Sequence, residues 1–227
     1  MRLTTSLGNV AGVPTGVILH RGQLTPALGK ATWLSPQEQQ ASDAMDGTRR
    51  HEFRASRALM RQLLAVLLGC NAAEVPLEAS PGERPRLRKT SWRISLSHSR
   101  GMALVGLARQ PIGVDLEWAG RSVNLAVARR WFGAAEAQRL MAQPTAEAAR
   151  AFLHSWAARE AAGKARGTGI RPFLQAWNHQ PAHQTLITPS GDSLQVRCGE
   201  DQDWVWACCC LGKPPRRKPR ATVAASL

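Results

Sequence analysis

Apolar residues fall at two spacings along this chain, and the two alternate in blocks. Between Thr48 and Gly69 the spacing is helical. Phe53, Met60, Leu63, Leu64 and Leu67 share one face, Arg50, Arg54, Arg57 and Arg61 another, and Gly69 ends the element. Just upstream, Ser35-Pro36-Gln37-Glu38 has the form of a capping box: Ser35 as N-cap, Pro36 first in the helix, Glu38 three residues on. A short helix to about Ala44 follows from it. From Trp92 the spacing becomes two. Trp92, Ile94 and Leu96 alternate with Arg93, Ser95 and Ser97, a second strand follows over "MALVGLA", and "RQP" turns into a third, "IGVDLEW", as in an antiparallel hairpin. An earlier strand is expected at "GVILH".

The same succession then recurs. "VNLAVARRWF" and "AAEAQRLMA" predict short helices. "TAEAARAFLHSWAAREAAGKA" predicts a long one, with Thr145 as N-cap and Phe152, Leu153 and Trp156 on its buried side. "FLQAW", "QTLIT", "SLQVRC" and "DWVWACCCL" predict strands. Helices followed by strands, twice, make an α+β protein of two similar α/β halves, antiparallel sheets packed on long helices. The reading divides the chain into an N-terminal half, 1–110, a C-terminal half, 111–212, and a basic tail, 213–227. The tail sets five basic residues and three prolines in its first eight positions and is expected to be disordered.

Composition narrows the partners more than the fold. Thirty Lys and Arg against 16 Asp and Glu give a net charge of +14, which favours anionic partners. Five cysteines, three of them adjacent at 208–210, contain no C-x-x-C pair. They read as small apolar fillers in a reducing compartment. No apolar run reaches membrane-span length and the N-terminus does not read as a signal peptide, so the expectation is a cytoplasmic protein.

Three short stretches carry possible chemistry. In "GVDLEW", Asp115 and Glu117 are two apart on a strand and share a face. Two adjacent carboxylates call for water, a basic residue or a hard cation such as Mg²⁺ between them, or else they are the solvated side of a strand. In "SLSHS", His98 stands at a strand end where it can donate to a phosphate or be an ordinary polar residue, and no G-x-S-x-G supports a hydrolase. In the long helix, Trp156, Glu160 and Lys164 are spaced four and four. Locally the last two make a favourable i,i+4 pair, worth about 0.3 kcal/mol.

Taken in order, "R-x-x-E-F-x-x-x-R" at 50–58, "R-P" at 84–85, "S-L-S-H-S" at 95–99, "I-G-V-D-L-E" at 112–117 and "F-L-H-S-W-A-A-R-E-A-A-G-K-A-x-G-x-G" at 152–169 resemble the 4′-phosphopantetheinyl transferases. The type resembled is the surfactin-synthetase one, with two pseudo-symmetric halves on one chain. The resemblance implies transfer of the phosphopantetheine arm of coenzyme A to a serine of an apo acyl or peptidyl carrier protein, with adenosine 3′,5′-bisphosphate released and the active site between the halves. It implies Mg²⁺ on Asp115, Glu117 and Glu160, and Lys164 on the pyrophosphate. Glu160 is the candidate base, directly or through a metal-bound water. Arg57 and His98 match positions at the 3′-phosphate, with Ser97 beside them. Arg84 matches a lysine near the adenine, and Arg50 and Arg54 are possible further phosphate contacts. A monomer that docks acidic carriers is implied as well.

Two departures stand out. Arg159 replaces the lysine usual before the helix glutamate, and Gln37, Glu38 and Gln39 stand where basic residues often follow "SP". Two alternatives accompany the resemblance. One is a basic nucleic-acid-binding protein, supported by the tail and the arginine helix but by no helix-turn-helix, zinc or aromatic RNA-binding motif. The other is a degenerate relative that binds coenzyme A without transferring.

Overall fold

The computed structural model describes residues 15–29, 31–78 and 83–212. The expected tail, 213–227, lies outside them. The protein is α+β, and each half opens on a strand. β1 (Ile18–Gln23) precedes helices α1 (Pro36–Asp43) and α2 (Gly47–Leu68). The two-residue strands β2 (Leu77–Glu78) and β3 (Arg86–Leu87) follow, then the hairpin β4 (Arg93–Ser99) and β5 (Met102–Ala108). In the second half β6 (Ile112–Trp118) precedes α3 (Ala126–Trp131), α4 (Ala134–Met141) and α5 (Thr145–Arg166), and β7 (Asn178–Gln180), β8 (Thr185–Ile187), β9 (Ser193–Asp201) and β10 (Trp204–Cys210) complete it. The sheets are antiparallel, in the orders β1-β5-β4 and β6-β10-β9-β8-β7. In both, the first strand of the half pairs with the last, which pairs with the one before it.

The helices repeat in register. One shift of 98 residues, from Gly47 to Thr145, carries α2 onto α5 end to end, α1 onto α4, and the left-handed C-cap Gly69 onto Gly167. A buried ion pair repeats with them. Arg61 on α2 binds Glu38 on α1 at 2.5 Å, and Arg159 on α5 binds Glu136 on α4 at 2.6 Å, each pair 23 residues apart in sequence. Arg61 also donates to the carbonyls of Ala72, Val75 and Leu77. Arg159 donates to those of Ser155, Phe173 and Trp177 and lies 4.1 Å over the Phe132 ring. Each arginine thus ties a short helix and a loop to a long helix. Arg61 is therefore not part of a solvated arginine face, being 1% exposed, and the unusual Arg159 is the fully buried centre of its half.

The capping box forms: Ser35 Oγ accepts from the Glu38 N–H, and Glu38 Oε2 accepts from the Ser35 N–H. Three expectations need correction. Pro144, not Thr145, is the N-cap of α5. "FLQAW" is not a strand, because Arg159 takes the carbonyls of Phe173 and Trp177, and Gln175 between them has φ of 61°. The strand starts at Asn178 instead. Nor does β6 form a hairpin with β5. The true hairpin is β4-β5, through Arg100 and Gly101, both at positive φ. After Arg109 the chain crosses to the other sheet, where β6 pairs with β10.

The two sheets meet face to face. Leu19 and Leu104 of the first pack with Ile112, Val114, Leu116, Trp204, Trp206 and Cys208 of the second. A Cβ on Gly106 would collide with Val114 and crowd Ile112, so glycine lets the sheets close. Ser95 and Ser97 lie in this seam, 4% and 8% exposed, not on a solvated strand face. Arg21 with Asp201, and Arg100 over the Trp118 ring, fasten its rim. Beyond the sheets, α2 covers one outer face and α5 the other.

Candidate active site

Alternation on β6 separates two tasks. Ile112, Val114 and Leu116 enter the seam between the sheets, so Gly113, Asp115 and Glu117 point the other way, towards α5. Gly113 decides how close they come. A Cβ there would overlap the Ala161 carbonyl oxygen and the Ala165 nitrogen and stand 2.9 Å from Lys164 Cβ. The bare glycine lets the strand lie against the helix backbone and brings Asp115 to the stripe of Glu160 and Lys164.

Asp115 is 4% exposed and Glu117 9%, so the pair is not a solvated face. Asp115 Oδ1 accepts from Lys164 Nζ at 2.7 Å and from Ser97 Oγ at 2.8 Å, and Lys164 Nζ is 3.1 Å from Ser97 Oγ. Ser97 comes from the N-terminal sheet, so one hydrogen bond across the seam fixes the carboxylate. Asp115 Oδ2 is buried without a hydrogen-bond partner. Glu117 is paired with Arg121 at 2.6 Å. Burial raises its pKa above the ordinary glutamate value, against the Arg121 hydrogen bond and with help from Asp115. Burial, then the Asp115 and Glu117 charges, raises that of Glu160 too.

These features fit a hard divalent cation. A bare buried carboxylate oxygen stands beside two carboxylates that resist ionising together. Among the described residues no three His, Cys, Asp or Glu side chains close into a metal cage by themselves. Mg²⁺ does not require one, since it is usually held by one or two carboxylates, waters and substrate phosphates. Trp156, half-buried, stacks on Trp131 with centroids 5.1 Å apart, which props α5 against α3.

A second feature lies in the N-terminal half. A cavity of about 400 Å³ is lined by Arg49, Phe53, Arg57, Glu83, Pro85 and His98, among others. Arg57 is buried with its guanidinium 4.8 Å over the Phe53 ring, and burial lowers its pKa. His98, at the end of β4, is exposed into the same space. Arg57 and His98, far apart in sequence, are thus brought together.

Arg84 stands apart from that wall. It donates to the Ile112 carbonyl at 3.0 Å and lies beside Gly167, bridging the N-terminal loop to the root of β6 and the end of α5. Burial, then Arg86 and Arg93, lowers its pKa. Arg50 and Arg54 are not brought to the cavity. Arg50 donates to the carbonyls of Met45 and Asp43 at the end of α1, and Arg54 to that of Gly29. Arg49 and Phe53 wall the cavity too, so Phe53 lies with Arg57 rather than on a separate apolar face, and the spacings of eight and four to Arg57 are the signal for both. The sequence reading missed Arg121, whose signal is the spacing of four from Glu117 across the turn at Gly120.

The described residues include no helix long and apolar enough to cross a membrane. All five cysteines are free thiols.

Comparison with known proteins gives the family. Residues 111–224 match the model of the 4′-phosphopantetheinyl transferase superfamily, and residues 37–108 match the 4′-phosphopantetheinyl transferase N-terminal domain. Among curated proteins, the chain is 30% identical over 120 residues to the 4′-phosphopantetheinyl transferase psf-1 of Bacillus pumilus, covering 52% of this chain and 51% of that one. It is 32% identical over 128 residues to HetI of Nostoc, covering 53% and 54%. It is 28% identical over 102 residues to Sfp of Bacillus subtilis, covering 44% and 45%. The chain thus spans about half the length of the curated relatives it matches. With a family model over half of its residues and the N-terminal domain model over most of the rest, the chain belongs to the 4′-phosphopantetheinyl transferase superfamily.

Proposed function

We propose that this protein transfers 4′-phosphopantetheine from coenzyme A to a serine of an apo acyl or peptidyl carrier protein, with Mg²⁺, releasing adenosine 3′,5′-bisphosphate. The observation that carries this is the bare, buried Oδ2 of Asp115, a carboxylate that binds the Lys164 ammonium through Oδ1 and raises the pKa values of Glu117 and Glu160. Such a centre suits a diphosphate that arrives with a divalent ion. Asp115, Glu117 and Glu160 are the residues that would hold Mg²⁺. The chemistry a bound Mg²⁺ would supply there is neutralisation of charge on the departing diphosphate.

The protein's own groups do the rest. Arg57 and His98, with Arg49, form a cationic wall for the 3′-phosphate end of coenzyme A. Arg84 serves the middle of the molecule, between the halves. Lys164 turns from Asp115 to the diphosphate, where a point cation meets growing negative charge. The carrier serine oxygen attacks the phosphorus that bears the pantetheine arm, and the bond from that phosphorus to the bridging oxygen breaks. Glu160, beside the diphosphate, accepts the serine proton. The net charge of +14 steers acidic carriers towards the site in a salt-dependent way. A reducing, cytoplasmic setting accords with five free thiols.

The test is direct. The protein, coenzyme A, Mg²⁺ and several apo carrier proteins are incubated and the carriers weighed by mass spectrometry. The expected result is a gain of one phosphopantetheine group. No gain on any carrier removes this function.

A further inference from the structure

The charged groups of the site are already matched to one another. Asp115 is bound by Lys164 at 2.7 Å and Glu117 by Arg121 at 2.6 Å. Glu160 makes no ion pair with a described residue. With all five groups charged, three acids and two bases carry a net charge of −1.

A divalent ion added alone meets two resident cations. Entering at Asp115 Oδ2, it stands within one carboxylate's width of the Lys164 ammonium, whose other contact, Ser97 Oγ, is neutral. It also competes with Arg121 for Glu117. A diphosphate added alone faces three carboxylates. Added together, the ion's two positive charges take the carboxylates, and the diphosphate's negative charges take the two displaced bases. The charge of the site then stays as it was. Geometry permits the exchange, because the Lys164 side chain is 29% exposed and that of Arg121 46% exposed. Both heads can turn outwards without entering the core.

We propose that Lys164 and Arg121, paired with Asp115 and Glu117, are resident counter-cations that make the divalent metal and the diphosphate of coenzyme A bind as a pair, each weakly without the other. Arg121 is thereby a positioning residue of the site. The inference rests on the transferase reading above but concerns binding order, which that reading leaves open.

The experiment follows Mn²⁺ binding to the whole chain by the electron-spin signal of free Mn²⁺, without carrier protein. Three states are compared: no ligand, coenzyme A, and adenosine 3′,5′-bisphosphate, which keeps the 3′-phosphate but lacks the diphosphate. Coenzyme A is expected to tighten Mn²⁺ binding at least about tenfold, and adenosine 3′,5′-bisphosphate less than about threefold. In Arg121→Gln, Mn²⁺ alone is expected to bind several-fold tighter than in the parent, while the gain on adding coenzyme A shrinks. Lys164→Met should shift both quantities the same way and further. Circular dichroism checks that both variants fold.

Equal Mn²⁺ affinity of parent and variants without coenzyme A overturns the proposal, as does an equal gain from the two nucleotides. A parent chain that loads a carrier yet binds Mn²⁺ equally well with and without coenzyme A overturns this inference and leaves the transferase function standing. A chain that neither loads a carrier nor binds Mn²⁺ removes both.

Discussion

Arg159 and Glu136 share two hydrogen bonds in the interior of the C-terminal half, Nη1 to Oε1 at 3.1 Å and Nη2 to Oε2 at 2.6 Å. The pair is fully buried, and the same carboxylate accepts the His179 N–H. Arg159→Met would leave Glu136 without its partner and two carbonyls, those of Phe173 and Trp177, without a donor. The expected cost is about 3–5 kcal/mol, read by urea unfolding. Adding Glu136→Met should recover only part of it, since the carbonyls of Phe173 and Trp177 stay unmet. Full recovery would mean that the arginine matters only as a counter-charge.

His179 gives the protein an acid-sensitive point. It is 1% exposed, accepts or donates at Ser155 Oγ, and burial lowers its pKa from 6.5 to about 4. A histidine with a depressed folded value stabilises the fold fully above the unfolded value. That contribution, a few kcal/mol in size, is lost as pH falls through the window from 6.5 to about 4. Melting curves of His179→Gln and the parent between pH 7 and 4 should therefore converge on acidification. Parallel curves would remove the assignment.

Glu160 has the opposite sign. Its folded pKa is raised, so in the absence of metal its burial is tolerated best at low pH and costs stability as pH rises through the folded value. Glu160→Gln should raise the melting temperature of the metal-free protein near pH 7 and leave it unchanged near pH 4. Carrier loading by the parent should fall as the solution is acidified below neutral, because the protonated carboxyl can neither bind a cation nor accept the serine proton.

Gly113→Ala tests the approach of β6 to α5. The added methyl collides with helix backbone rather than with a flexible side chain. A cost of about 1–3 kcal/mol is expected from overpacking. Metal affinity in the presence of coenzyme A should fall as well, because Asp115 two residues on is carried away from Glu160. An unchanged melting temperature would show that the strand has room to shift.

Asp115→Asn separates charge from shape. The amide keeps the volume and an oxygen for Ser97. Transfer should drop by about a hundredfold or more while the melting temperature moves by only a few degrees. Mass spectrometry of the carrier and a thermal scan together decide it.

Much of the helical frame is legible in the sequence because its signals are local. The capping box at Ser35, the glycine stops at 69 and 167, and the apolar stripes of the two long helices lie within a few residues of what they define. The acid pair at 115 and 117 is legible as a pair, and the ordered motifs carry it to a family. What single-chain reading cannot supply is the partner of a charge. Arg61 looks like its neighbours Arg54 and Arg57 on the helix, yet one arginine is a buried lock, one caps a distant carbonyl and one lines the cavity. Ser95 and Ser97 alternate with apolar residues as a solvated face would, but a second sheet, folded from residues beyond 111, covers them. The same long-range cause turns the expected β5-β6 hairpin into a crossing between sheets.

The bond from Ser97 to Asp115 spans the seam between the sheets at the carboxylate proposed to hold the metal. Docking of the two halves and assembly of the reactive centre are therefore one equilibrium. A ligand that bridges the centre draws its affinity partly from cohesion already present between the halves, and returns it as resistance to their separation. Substitutions deep in the seam, remote from any phosphate, will be felt as weakened coenzyme A binding. Small molecules wedged into the seam would inhibit without resembling the substrate.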